Sequence, residues 1–165
     1  MQQNITSTKF DSFGLIGQNQ GNIQLKQLTI QLSIQADVSY FGLVGYQLDD
    51  SDISNIIISV NTTGTTCIAG VFGYLEETTS SIQNISVINS NIICTKIYVG
   101  SIIGNLNSSA YIFNSSVSLT KISGSSFVAG FIGRSFYNTS ISNSSIQLTY
   151  TVVGPRNAFL NQEEE

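Results

Sequence analysis

Apolar and polar residues alternate along much of the chain. The clearest stretch is residues 28–38, where the apolar positions are Leu28, Ile30, Leu32, Ile34, Ala36 and Val38. A period of two is that of a β-strand with one buried face, whereas a helical face repeats every 3.6 residues. No stretch of the chain shows a helical apolar face. The pattern therefore predicts an all-β protein.

A short motif recurs at a nearly constant spacing. It consists of a small residue, two apolar residues and a closing glycine, as in Gly42-Leu43-Val44-Gly45. The closing glycines are separated by 28, 28, 31 and 29 residues. We interpret them as turn positions, because glycine tolerates tight backbone geometry. They are Gly17, Gly45, Gly73, Gly104 and Gly133.

Each repeat carries a second motif, an apolar residue followed two positions later by asparagine. The asparagines are Asn55, Asn84, Asn114 and Asn143, and Gln27 occupies this position in the first repeat. In stacked repeats, equivalent residues lie above one another. The motif therefore predicts a ladder of asparagines at a corner, where their side chains bond to neighbouring groups.

The period indicates how the repeats pack. A unit of two or three short strands cannot bury its own apolar face, whereas stacked units form a continuous core. We expect a parallel β-solenoid of about five coils with about 28 residues per coil. A β-sandwich of eight or more antiparallel strands is the alternative, although it needs no fixed 28-residue register.

The repeat divides the chain into predicted segments. An N-terminal extension covers residues 1–9, and an acidic tail covers residues 162–165. The repeats lie between them, at residues 10–40, 41–68, 69–99, 100–128, 129–156 and, as a partial copy, 157–161.

The two motifs resemble those of the GLUG-motif repeat proteins. The resemblance is carried by Val128-Ala129-Gly130-Phe131-Ile132-Gly133 and by Ile141-Ser142-Asn143-Ser144-Ser145, and it extends over residues 10–161. Such repeats occur in adhesin-like and protease-associated surface proteins of bacteria and in surface proteins of some protists. The resemblance implies a right-handed parallel β-solenoid within a larger secreted or surface-attached protein. It implies no catalytic residues.

Composition narrows the function. Only 10% of the residues are charged, against about 25% in ordinary soluble domains. A low content of charged residues is consistent with stacked repeats, because like charges at equivalent positions would lie one strand apart and repel. The net charge of −4, with six scattered basic residues, argues against nucleic-acid binding. No apolar run is long enough to insert into a membrane, and the first residues lack the basic and apolar regions of a signal peptide.

The acidic residues cluster on the second and third repeats. Because adjacent coils bring these positions to one edge, they are candidate ligands for Ca²⁺, which takes six to eight oxygen atoms. A solvated acidic turn that deters sideways association is the alternative. The residues are Asp49, Asp50, Asp52, Glu76 and Glu77.

Two further kinds of covalent site are predicted. Cys67 and Cys94 follow their closing glycines by 22 and 21 residues, so they form either a disulfide between consecutive coils or two core-facing thiols. Seven Asn-x-Ser/Thr sequons occur, at Asn4, Asn61, Asn84, Asn107, Asn114, Asn138 and Asn143. We place N-glycans at Asn61, Asn107 and Asn138, with Asn107 and Asn138 favoured as loop positions.

These features predict a non-catalytic surface or secreted segment that acts as a rigid spacer or an adhesion module. Its expected partner is a glycan or a protein on another cell surface, contacted by exposed polar rows and by Tyr111, Tyr137 and Tyr150. The solenoid ends also allow end-to-end self-association. The rival function is that of a carbohydrate-active β-helix enzyme. The chain has no histidine, and Arg134 lies three repeats from Asp49 and Asp50.

Overall fold

The computed structural model describes residues 2–6, 10–35 and 38–152. Every regular element in these ranges is a β-strand, and none is a helix. Consequently, no helix in the described ranges is long and apolar enough to cross a membrane. The strands form a parallel β-solenoid of about four turns, with about 29 residues per turn. The predicted fold class is confirmed, with about one turn fewer than expected.

The strands form two parallel sheets. The small sheet contains β2, β5, β8, β11 and β14, and the other twelve strands form the large sheet. The strands are β1 (Gln2–Thr6), β2 (Phe10–Phe13), β3 (Ile16–Asn19), β4 (Ile23–Gln35), β5 (Val38–Phe41), β6 (Val44–Gln47), β7 (Ser51–Gly64), β8 (Cys67–Ile68), β9 (Phe72–Ile88), β10 (Asn91–Cys94), β11 (Tyr98–Gly100), β12 (Ile103–Phe113), β13 (Ser116–Gly124), β14 (Val128–Ala129), β15 (Ile132–Ser135), β16 (Thr139–Ser142) and β17 (Ser145–Val152).

The second coil shows the course of one turn. Strand β5 belongs to the small sheet, and a bend at residues 42–43 leads into β6, which belongs to the large sheet. Leu43 lies in the bend and Val44 begins the strand, and both side chains are fully buried. The bend breaks the strict alternation of a strand, so two consecutive apolar residues both reach the interior.

The closing glycines form one column, as the repeat predicts, but they are not turn residues. Each lies inside a strand, and strand pairing aligns Gly45 between Gly17 and Gly73. A Cβ atom on Gly73 would lie 2.5 Å from the backbone nitrogen of Phe41 and 2.6 Å from the carbonyl oxygen of Gly45. Glycine is therefore required because two backbones approach closely. The predicted turn role is wrong.

The interior is a stack of apolar columns. The column that contains Ile53 and Ile82 is aligned by parallel pairing from Leu25 to Ile141. Serine replaces an apolar residue at two inner positions, where the hydroxyls of Ser90 and Ser115 accept the backbone N–H groups of the preceding coil. These hydroxyls satisfy buried donors at corners where the backbone pairing is interrupted.

The N-terminal residues are part of the solenoid. Strand β1 pairs in parallel with β4, from Gln2 beside Gln31 to Thr6 beside Gln35. Residues 2–6 of the predicted N-terminal extension therefore extend the large sheet. The predicted partial repeat at 157–161 and the acidic tail at 162–165 lie outside the described residues.

Candidate functional site

The asparagine ladder is present. The side-chain amide of Asn84 donates to Asn55 Oδ1 at 3.0 Å, that of Asn114 to Asn84 Oδ1 at 2.6 Å, and that of Asn143 to Asn114 Oδ1 at 3.1 Å. All four residues have left-handed backbone angles, with φ between 49° and 57°, and so does Gln27. Asparagine tolerates this geometry better than most residues. The predicted corner role is confirmed.

The sequons differ in their surroundings. Asn61 is exposed in β7, and its Oδ1 accepts a bond from Asn91. Asn107 lies inside β12, half-buried, and donates to Glu76 Oε1 at 3.3 Å, so its prediction as a loop residue is wrong. Asn138 is exposed in the loop between β15 and β16, as expected. The side chain of Asn4 lies outside the described part, and glycan occupancy stays a prediction.

The carboxylates bind neighbouring groups. Asp52 forms an ion pair with Lys26 at 2.6 Å, and Asp50 Oδ1 accepts the backbone N–H of Thr79 at 2.9 Å. Glu76 accepts bonds from Tyr46 and Asn107.

The exposed Asp49 lies beside Asp50 in the corner between β6 and β7, and the side chain of Glu77 lies outside the described residues. Among the described side chains, no three acidic, cysteine or histidine residues gather as metal ligands. The calcium site stays a prediction.

The cysteines do not lie at the same phase of their coils. Strand pairing puts Cys94 beside Gly64, and Cys67 beside Tyr98. The extra residues of the third repeat shift the register, so the expected stacking of the two cysteines is wrong. Cys94 is a free, buried thiol that donates to the carbonyl of Thr65 at 3.1 Å. Burial raises its pKa. The side chain of Cys67 lies outside the described part.

A line of aromatic side chains follows the junction between the two sheets. On the large sheet, pairing aligns Tyr46 with Tyr74, Tyr74 with Asn105, and Asn105 with Arg134. On the small sheet, Tyr40 and Tyr98 both pair with Cys67. The ring of Tyr40 contacts those of Tyr46 and Tyr74 across the junction, and all three rings are only partly buried. We call this set the aromatic seam: Tyr40, Tyr46, Tyr74, Tyr98, Phe127 and Arg134.

The first part of the seam is a cluster of three tyrosines. The rings of Tyr46 and Tyr74 are stacked, with centroids 4.9 Å apart, and Tyr40 meets each of them edge-on at 5.3 Å. The Tyr46 hydroxyl donates to Glu76. Burial, the bond to Glu76 and the negative charge of Glu76 all raise the pKa of Tyr46 above its ordinary value. The phenol therefore stays protonated at neutral pH and acts as a hydrogen-bond donor.

The second part of the seam surrounds Arg134. Its guanidinium carbon lies 3.7 Å from the Phe136 ring centroid, 4.9 Å from that of Tyr98 and 5.7 Å from that of Phe127. The guanidinium also donates to the Tyr98 hydroxyl. Aromatic faces attract cations, so these rings hold the guanidinium in one place.

The aromatic seam was not predicted, although its signal is present in the sequence. A tyrosine directly follows the closing glycine in two consecutive repeats, at Tyr46 and Tyr74. The prediction of exposed tyrosines is confirmed for Tyr111 and Tyr137, which are 55% and 61% exposed. The side chain of Tyr150 lies outside the described residues.

Comparison with protein-family models, with curated proteins and with solved structures finds no match for this chain. The resemblance to GLUG-motif repeats therefore stays a prediction from the motifs themselves.

Proposed function

We propose that this chain is a non-catalytic repeat segment of a larger secreted or cell-surface protein, in which it acts as a rigid spacer and presents a binding face to another surface. The observation that carries the proposal is the continuous alignment of coils. Parallel pairing joins every described coil to the next, in both sheets. A stack joined in this way holds its surface side chains at fixed distances.

Three kinds of interaction support rigidity. Backbone hydrogen bonds join the coils, apolar columns fill the interior, and the asparagine ladder ties one corner from Asn55 to Asn143. Bending the stack would open all three on the outer side of the bend. At the strand spacing of about 4.8 Å, four turns give a segment about 20 Å long.

The outer surface supports a binding role. Four aromatic side chains of the fourth and fifth repeats are about half exposed or more, amid neutral polar residues. Exposed aromatic rings with polar neighbours are typical of recognition surfaces, because they bury a large area at little cost in entropy. They are Tyr111, Phe113, Phe136 and Tyr137.

Spin labels test the spacer role. Gln24 and Ser140 are exposed and lie in the same outer column, four coil steps apart by strand pairing. In a variant with Cys67→Ala and Cys94→Ala, cysteines introduced at Gln24 and Ser140 would carry the labels. We expect one narrow distance distribution near about 20 Å plus the label arms. A broad distribution in the folded protein would contradict a rigid spacer.

Retention on immobilised glycans and on whole cells tests the binding role. We expect retention above that of an unrelated β-solenoid of equal net charge. Background retention on both kinds of surface would leave the chain without the proposed binding face.

A further inference from the structure

We infer that Arg134, together with Asn105, Phe136 and Tyr137, forms a binding site for a carboxylate-bearing sugar unit at one end of the aromatic seam. This inference rests on the proposed binding role and names its ligand class. Four observations carry it: a cation without an acidic partner, an unpaired buried acceptor, two exposed rings and the scarcity of other positive charge nearby.

The cation is Arg134. Among the described side chains, no carboxylate forms an ion pair with it. The rings of Tyr98, Phe127 and Phe136 hold the guanidinium, and one of its nitrogens donates to the Tyr98 hydroxyl. A guanidinium has five N–H donors in a planar fork that matches a carboxylate in two parallel bonds. Donors are therefore left for an anionic ligand.

The acceptor is Asn105, which pairs with Arg134 from the preceding coil of the large sheet. Its side chain is only 5% exposed, and Oδ1 has no hydrogen-bond partner. A buried acceptor without a partner lowers stability, because folding removes its hydrogen bonds to water. Because this oxygen is covered in the free protein, the side chain has to turn outward before a sugar hydroxyl supplies the missing donor beside the carboxylate.

The rings are those of Phe136 and Tyr137, which follow Arg134 closely in the chain. Their side chains are 52% and 61% exposed. The C–H face of a pyranose ring is apolar and packs on aromatic surfaces, while its hydroxyls stay available for polar partners. The exposed hydroxyl of Ser135, at the end of β15, and the exposed amide of Asn138, in the loop that follows, complete a neutral polar border.

The charges around Arg134 favour a ligand with one carboxylate over a polyanion. Arg134 is the only cationic side chain that the structure places on the aromatic seam. The carboxylate of Glu76, on the coil before Asn105, is bonded to Tyr46 and Asn107 rather than to Arg134. The chain as a whole carries a net charge of −4. Sulfated polymers and nucleic acids need several cations along their length. A single uronic or sialic acid unit needs only one cation.

Paired glycans test this site. Trigalacturonate would be compared with its fully methyl-esterified form, and sialyllactose with its methyl ester, by calorimetry or ligand-observed NMR. The two members of each pair have closely similar sugar scaffolds, and the neutral member lacks the carboxylate charge. We expect at least one charged member to bind at least tenfold more tightly than its neutral counterpart.

Three variants connect binding to Arg134. We expect Arg134→Gln to abolish the preference for the charged sugar, and Arg134→Lys to lose most of it, because lysine lacks the planar fork. Lys121→Gln removes one positive charge from an exposed position in β13, outside the seam, and is the matched control. Its binding should equal that of the wild type. Thermal unfolding of each variant shows whether the fold is retained.

Several outcomes would overturn the inference. These are equal binding of charged and neutral sugars, no binding of either pair, unchanged binding by a folded Arg134→Gln, or binding only of a control peptide with a free C-terminal carboxylate. Retention on immobilised glycans and whole cells is measured separately, so a chain that is retained there but gives one of these results lacks this site and keeps the proposed binding role.

Discussion

At the scale of single residues, the corners of the solenoid depend on asparagine for two reasons. The left-handed backbone angles at Asn55, Asn84, Asn114 and Asn143 are costly for most side chains. The asparagine amide also carries both a donor and an acceptor, so Asn84 and Asn114 each bond the asparagine below and the one above. Gln27 keeps the left-handed angle, which shows that the backbone geometry extends to the first coil even where the residue changes.

Substitution of Asn114 should separate these two contributions. Asn114→Gly removes the side-chain bonds to Asn84 and Asn143 but accepts the left-handed angle, so we expect a loss of about 1 kcal/mol. Asn114→Ala adds backbone strain, for a total of about 2–3 kcal/mol. Urea unfolding measures both. Equal losses in the two variants would show that backbone strain does not contribute.

The Tyr46 hydroxyl predicts a dependence of stability on alkaline pH. Its pKa is higher in the folded protein than in the unfolded chain, where a tyrosine titrates near about 10. Ionisation therefore favours unfolding: the stabilisation is fully present below about pH 10 and is lost as the pH rises further.

Urea unfolding at a series of pH values measures this effect. We expect the free energy of unfolding to fall more steeply above about pH 10 in the wild type than in Tyr46→Phe. Tyr111→Phe removes an exposed hydroxyl outside the aromatic seam and serves as the matched control. If the free energy of unfolding fell identically with alkaline pH in the wild type and in Tyr46→Phe, this pH dependence could not be assigned to Tyr46.

At the scale of elements, the solenoid depends on how closely its two sheets approach. Strands β6, β9 and β15 pack their closing glycines on the backbone of the small sheet. Gly45 packs on Phe13, Gly73 on Phe41 and Gly133 on Val99. This approach leaves no room for a Cβ atom. It also brings the outer faces of the two sheets together, which forms the aromatic seam.

Two glycine substitutions test the close approach. Gly73→Ala places a Cβ atom 2.5 Å from the Phe41 nitrogen, so we expect a loss of about 3 kcal/mol or more. At Gly21 a Cβ atom would have no neighbour within 4 Å, so Gly21→Ala should be neutral or stabilise by up to about 1 kcal/mol. Thermal and urea unfolding compare the pair. Similar stabilities for both variants would rule out the close approach as the reason for the glycine column.

At the scale of the whole molecule, each coil contacts mainly its neighbours, so stability is approximately a sum over coils and interfaces. Phe72 pairs with Ile103, an offset of 31 residues. Deletion of residues 72–102 joins Val71 to Ile103 and removes one whole turn, so every face keeps its register.

We expect this deletion variant to fold as a shorter monomeric solenoid of lower stability. Deletion of residues 72–86 alone removes about half a turn and joins a bend to the last two residues of β9, and it should yield an aggregated or unfolded chain. Circular dichroism and size-exclusion chromatography distinguish the two results. Loss of folding in both variants would contradict the modular stack.

The sequence by itself determined the class of fold and the columns of repeated residues. A period near 28 with alternating apolar positions can bury its apolar faces by stacking, and equivalent positions then lie above one another whatever the shape of the coil. The asparagine ladder and the glycine column were predictable for this reason. The relative positions of Cys67 and Cys94 within their coils were not predictable, because the inserted residues of the third repeat shift the register locally.

Only the tertiary structure decided which faces of a coil meet. It placed the closing glycines inside strands, against the backbone of the small sheet, and it brought Arg134 to Tyr98, 36 residues earlier in the chain. Such contacts depend on bend angles within one coil. A bend such as that at residues 42–43 adds nothing to the repeat pattern of the sequence except the small residue that it contains. The repeat therefore predicts neighbours along the stack, whereas the packing of two sheets creates the neighbours across it.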